Sequence, residues 1–193
     1  RVNKEHKIVS VPLQMRLFEY ALIQDRDFIE RCRNQKKEYD FVFIGQTKYS
    51  DRAWLHPENM GDIGRYLFRE TNPIWGVRDV QTRVNVLKEF CLDVAKARYS
   101  FSPRGIGSSS FRLYQSLMVG TVPLIYGMND YPFDDILDWS EFSFSPQPSD
   151  KIEGLLDFNE SHMRQAGTET WDKYFHMDNT DRYIFDRYLR NIK

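Results

Sequence analysis

Residues 99–126 read YSFSPRGIGSSSFRLYQSLMVGTVPLIY, and the rest of the chain is organised around this stretch. Tyr99, Phe101 and Pro103 alternate with serines at the period of a strand. A glycine turn, Arg104-Gly105-Ile106-Gly107, follows, and then three serines, Ser108, Ser109 and Ser110. Phe111, Tyr114, Leu117 and Met118 share one face at helical spacing. Gly120 is placed to stop that helix, and VPLIY at 122–126 reads as the next buried strand. Strand, glycine turn, helix and strand form a βαβ unit of ordinary length, which predicts an α/β fold with a parallel sheet.

The turn is suited to an anion. A helix start leaves backbone N–H groups without partners and carries partial positive charge. Glycines let a ligand approach the backbone, serine hydroxyls add donors, and Arg104 and Arg112 add charge. A capping role for Ser110 and a tight connection shaped by the glycines would use the same residues. Two arginines and three serines together favour a phosphate or diphosphate guest. The pattern is not the dinucleotide fingerprint: Ser110 stands where the third glycine belongs, and no acid follows about 20 positions on at the end of a second strand. It is not a phosphate loop of the Gly-Lys-Ser/Thr type either.

The ordered set Ser102-Pro103-Arg104-Gly105-x-Gly107-x-x-Ser110-Phe111-Arg112-Leu113-Tyr114, then Ser116-Leu117-x-x-Gly120-x-x-Pro123, resembles the signature of exostosin-like glycosyltransferases. The likeness continues from Tyr131 through Ser143 (YPFDDILDWSEFS). The resemblance implies the carboxy-terminal half of a GT-B enzyme, with a Rossmann-like parallel sheet flanked by helices on both faces. It implies a donor diphosphate held by Arg104, Gly105, Gly107, Ser108, Ser109, Ser110 and Arg112. The family usually carries a glutamate for the donor ribose where this chain has Gln115, which can bind a hydroxyl only without charge. A UDP-sugar donor, a glycan hydroxyl acceptor and no essential metal follow from the same resemblance. A module that binds a nucleotide sugar without transferring it, and an α/β hydrolase acting on phosphates, are the competing classes.

At 193 residues the chain is expected to form a single domain, with 150–193 a helical extension packing on it. Apolar residues make up 41% and aromatics 15%, as in a folded globular protein. Lys and Arg number 27 against 28 Asp and Glu, a balance that argues against nucleic-acid binding. No apolar run reaches the ~20 residues that span a bilayer. The chain starts at Arg1, so it reads as a processed piece, and an amino-terminal half is an expected missing partner. Both a cytoplasmic and a lumenal location stay open. Cys32 and Cys91 are the only cysteines, and two separated cysteines make neither a zinc motif nor a disulfide framework.

Along the chain, residues 8–12 suit a strand or an extended entry and 13–37 a helix. Asp25-Arg26-Asp27 in that helix matches a metal-binding DxD only in letters, because a helix does not aim both carboxylates at one ion. Residues 39–45, YDFVFIG, are the clearest buried strand. Gly45, Thr47, Lys48 and Arg52 follow it, where an α/β sheet binds ligands, and suit a donor phosphate or an ordinary turn. Residues 65–69 fit either a strand or a helix. Trp54, His56 and Trp75 could line an acceptor groove or cover the core. Residues 79–96 predict an amphipathic helix with Val80, Val84, Leu87, Cys91 and Val94 as its stripe. Asn129 and Asp130 are candidates for sugar hydroxyls, with a plain turn as the alternative. Asp134 and Asp135 suit the first turn of a helix, and 142–144 a last short strand. Asp150 and Glu153 have capping-box spacing for a helix over 151–158, and helices are expected over 161–176 and 180–192. None of His6, His56, His162 and His176 is set in a catalytic pattern, so no catalytic residue is assigned.

Overall fold

The computed structural model describes residues 2–3, 8–9, 22–48, 52–71, 78–105, 109–129, 131–146, 152, 154, 158, 160–186 and 190. Two short strands, β1 (Val2–Asn3) and β2 (Ile8–Val9), pair antiparallel. The main sheet holds β3 (Tyr39–Gly45), β4 (Tyr66–Glu70), β5 (Ala97–Pro103) and β6 (Val122–Tyr126). Its order is β4-β3-β5-β6, and every pairing is parallel. This is the parallel α/β sheet that the βαβ unit predicted, in the Rossmann-like form that the resemblance implied. Residues 65–69, open between strand and helix, belong to the edge strand, which pairs with β3 from Phe41↔Tyr66 to Gly45↔Glu70. Beyond β6, Ile125 N donates to Phe144 O at 2.7 Å and Phe144 N to Pro123 O at 3.0 Å, so the expected last strand is a single parallel bridge.

Period-two alternation gives the sheet two apolar faces. Val42 and Ile44 point to one face, under α1 (Arg26–Arg33), α3 (Val80–Ala95) and α4 (Phe111–Met118). Phe41, Phe43, Tyr99, Phe101, Val122 and Leu124 point to the other, covered by the 3-10 turn Ala53–Leu55 and the short helix α2 (Pro57–Met60). Phe41 stacks on Tyr99 and Phe101 at 5.5 and 5.6 Å, a ring ladder across the sheet.

Caps set the helix limits. Asp79 accepts from Thr82 N at 2.6 Å and starts α3, whose stripe buries Val84, Leu87, Cys91 and Val94 while Val80 stays in solvent. Gly120, at φ 70°, takes the left-handed conformation that closes α4. The helix expected over 13–37 is interrupted: its first part, 13–21, lies outside the described residues, and Asp25 caps a separate α1 by accepting from Phe28 N at 3.0 Å. The same carboxylate meets Lys88 Nζ at 2.7 Å, which occupies the first acid of the DxD letters.

Asp134 and Asp135 do not open a helix. Residues 132–136 form a turn with Phe133 at φ 59°, a left-handed conformation that a helix excludes. Buried Phe133 packs among Phe175 at 6.0 Å and Tyr183 at 4.9 Å, and those contacts hold the turn. Near the carboxyl end α5 (Glu160–Thr170) runs into a π-type turn, Trp171–Phe175, and α6 (Met177–Ile184) follows. Gly167 lets α5 approach α4, since a Cβ there would lie 3.0 Å from Leu117 Cδ2. Trp171 and Phe175 are buried, whereas Phe185 is exposed and Tyr188 lies outside the described residues. The capping box at Asp150 and Glu153 and most of the helix it would open also lie outside them.

Candidate functional site

The chain runs from β3 outward to β4, and from β5 outward in the opposite direction to β6. The order therefore reverses between β3 and β5. Open parallel sheets bind ligands in the crevice beyond the carboxyl ends of the strands at such a point. Here that crevice lies between the turn after Gly45 and the turn after Pro103.

Arg112, the second residue of α4, reaches across it. Its Nη2 donates to Ile44 O at 2.7 Å, and its guanidinium lies 4.8 Å from the centre of the Phe43 ring. Nε is buried, and among the described residues it has no hydrogen-bond partner and Arg112 makes no ion pair. Burial first, and then the charge of Arg52, lower its pKa to about 10, so it stays cationic at neutral pH. Gly45 makes the approach possible, because a Cβ there would overlap Nη2 of Arg112.

Two further arginines meet at the same end of the sheet. Arg104 N donates to Tyr126 O at 2.9 Å, and the exposed Arg104 side chain lies over Gly127, where a Cβ would come 3.1 Å from Cδ. Arg52 Nη2 donates to the Arg104 carbonyl. Gly105 N donates to Ser109 O at 2.8 Å and closes the loop before α4. Ser110 is buried at the cap position with extended backbone (φ −136°, ψ 128°), but its hydroxyl makes no cap bond. Ser109 Oγ lies 3.5 Å from the Tyr114 hydroxyl. Gln115 is buried one helical turn after Arg112. Gly107 and Ser108 lie outside the described residues, as does Asp130; Asn129 is exposed.

On the other side of the crevice, Thr47 turns both its donors to Glu70. N meets Oε1 at 3.0 Å, and Oγ1 meets Oε1 and Oε2 at 3.0 and 3.1 Å. The Thr47 backbone and hydroxyl bonds lower the pKa of Glu70, with smaller contributions from His56 and Lys48, and keep it ionised. Lys48 is exposed. Sequence reading passed over Glu70. An acid at the end of a second strand is a ligand-binding signal, and it becomes visible only once 66–70 is known to be that strand.

The aromatics near this end cover the ring ladder. Trp54 stands edge-on to Phe101 at 5.8 Å and tilts against Tyr126 at 4.7 Å; His56 packs on Phe68 at 5.1 Å. Trp75 lies outside the described residues. Buried His176 caps α6 by accepting from Asp178 N at 3.4 Å, far along the chain from the crevice residues.

No protein-family model matches the chain, and no curated protein matches it. The fold is similar to the crystal structure of a glycosyltransferase from Rickettsia africae ESF-5, with a TM-score of 0.51 at 10% identity. The match covers 98% of this chain and 59% of that one, so the chain spans about three fifths of that glycosyltransferase's length.

Proposed function

We propose that this chain is the donor-binding part of an exostosin-like, GT-B-type glycosyltransferase that uses a UDP-sugar and a glycan hydroxyl without an essential metal. The observation that carries the reading is Arg112: a cation held at the switch point of the sheet, with its charge unmatched by any carboxylate among the described residues. Arg104 and Arg52 add charge to the same crevice. A diphosphate is the ligand that such a crevice favours.

In the reaction the bond between the sugar anomeric carbon and the diphosphate oxygen breaks, and the electron pair leaves with the diphosphate. The acceptor oxygen forms the new glycosidic bond, and its proton passes to a base on the acceptor side. Charge grows on the diphosphate as the bond breaks. Preset arginines and the N–H groups opening α4 stabilise it there at no cost of reorganisation. This assignment gives the 1–193 span one Rossmann-like nucleotide-sugar domain and leaves the acceptor half to chain beyond it. A binding module without turnover is the second reading, favoured by uncharged Gln115 where the resembling family has a glutamate.

Calorimetric titration with UDP and GDP in the absence of metal tests the site, on the wild type and on Arg104→Ala. Arg104 is exposed, so the variant should keep its fold. Saturable UDP binding that the variant weakens supports the cradle. Absence of binding by either nucleotide at millimolar concentration overturns it.

A further inference from the structure

Among the described residues, Glu70 is a carboxylate at this end of the sheet. It ends β4 and is the register partner of Gly45, the residue on which the Arg112 guanidinium packs. Neighbouring strands lie about 4.8 Å apart, so Glu70 sits one strand spacing from the arginine-lined cleft. Thr47 engages it through both oxygens, but an ionised carboxylate offers about four acceptor positions. Its side chain is exposed, and among the described residues it makes no ion pair. An anionic acceptor beside a cationic cleft repels phosphate and accepts from hydroxyls. A ligand with phosphate at one end and a vicinal diol about one strand spacing away satisfies both.

We propose that Glu70 is a specificity residue that accepts hydrogen bonds from a diol of the bound nucleotide sugar, while Thr47 holds its carboxylate in place. The inference rests on the donor-site reading above. The diol belongs either to the ribose or to the transferred sugar, and hydrogen bonds to a charged group make its loss measurable on either one.

The test compares calorimetric affinities for UDP, 2′,3′-dideoxy-UDP, UDP-glucose and inorganic pyrophosphate, on the wild type, Glu70→Gln and Thr47→Val. Gln keeps an oxygen for Thr47 N, so the turn after β3 survives while the charge is lost. If Glu70 reads the ribose, the wild type prefers UDP over the dideoxy analogue by about tenfold or more, and Glu70→Gln loses that preference. If it reads the sugar, Glu70→Gln lowers the UDP-glucose to UDP affinity ratio instead. In both cases pyrophosphate affinity does not fall in Glu70→Gln, because the charge that is lost repels phosphate, and Thr47→Val, which keeps the charge but loses the hydroxyl bonds that hold it, weakens the same preference. UDP binding with both ratios unchanged in Glu70→Gln overturns this proposal and leaves the donor site standing. A parallel fall in pyrophosphate affinity in Glu70→Gln also overturns it and makes Glu70 a scaffold residue, and an unweakened preference in Thr47→Val overturns the positioning role of Thr47. No nucleotide or pyrophosphate binding in any variant overturns both readings together.

Discussion

Arg112 Nη2 donates to Ile44 O at 2.7 Å, which ties the first turn of α4 to the carboxyl end of β3. The tie places a partly buried cation where the strand order reverses, and it depends on the missing side chain at position 45.

Gly45→Ala should therefore displace Arg112. The added Cβ would overlap Nη2 and lie 3.0 Å from Phe43 Cζ. Overpacking of this kind costs about 1–3 kcal/mol. The denaturation midpoint should fall accordingly, and UDP affinity should fall with it. An unchanged midpoint with unchanged affinity would show that the guanidinium is not held where the structure places it.

Lys37 should make stability rise with pH. Its Nζ donates to Ala95 O at 2.7 Å and Gly120 O at 3.0 Å, and burial, followed by the charge of Arg164, lowers its pKa to about 7. The unfolded chain holds this proton up to about pH 10.4. Between about pH 7 and 10 the unfolded state thus binds more protons than the folded state, and stability increases with pH by at most about 1.4 kcal/mol per unit. Chemical denaturation across pH 6–10 should show the rise, and Lys37→Met should flatten it.

Asp40 should contribute in the opposite range. It is buried, accepts from Arg65 N and Nε at 3.1 Å and from Nη2 at 3.0 Å, and lies 3.6 Å from Arg98 Nη1. The Arg65 side-chain bond is the main reason that its carboxyl titrates below the usual range. Above the unfolded value of about 3.9 both states are ionised and the contribution is complete. It is lost as pH falls from there through the folded value. Asp40→Asn should lower stability at pH 7 by about 1–3 kcal/mol and shrink the acid-dependent part of the loss, as read by urea unfolding between pH 3 and 7.

Arg104 and Arg112 were legible as cations beside a helix start, because a glycine turn between a strand and a helix is a local pattern. Arg52 was legible as a candidate for the same phosphate, but its bond to the Arg104 carbonyl was not. Arg52 and Arg104 are 52 positions apart and meet only because β3 and β5 are neighbours. Glu70 was hidden for the same reason: 66–70 carries no decisive period, and pairing with β3 makes it a strand.

The sequence by itself determined the βαβ unit at 99–126, the buried strand at 39–45 and the helix at 80–95. Period, glycine placement and capping residues act over a few positions and need no partner. Only the tertiary structure decided the order β4-β3-β5-β6, the break at Asp25, the turn at Phe133 and the pairing of Glu70 with Thr47. Each of these depends on contacts between residues distant in the chain or on a backbone conformation held by them. Such contacts form only when the apolar faces close on one another.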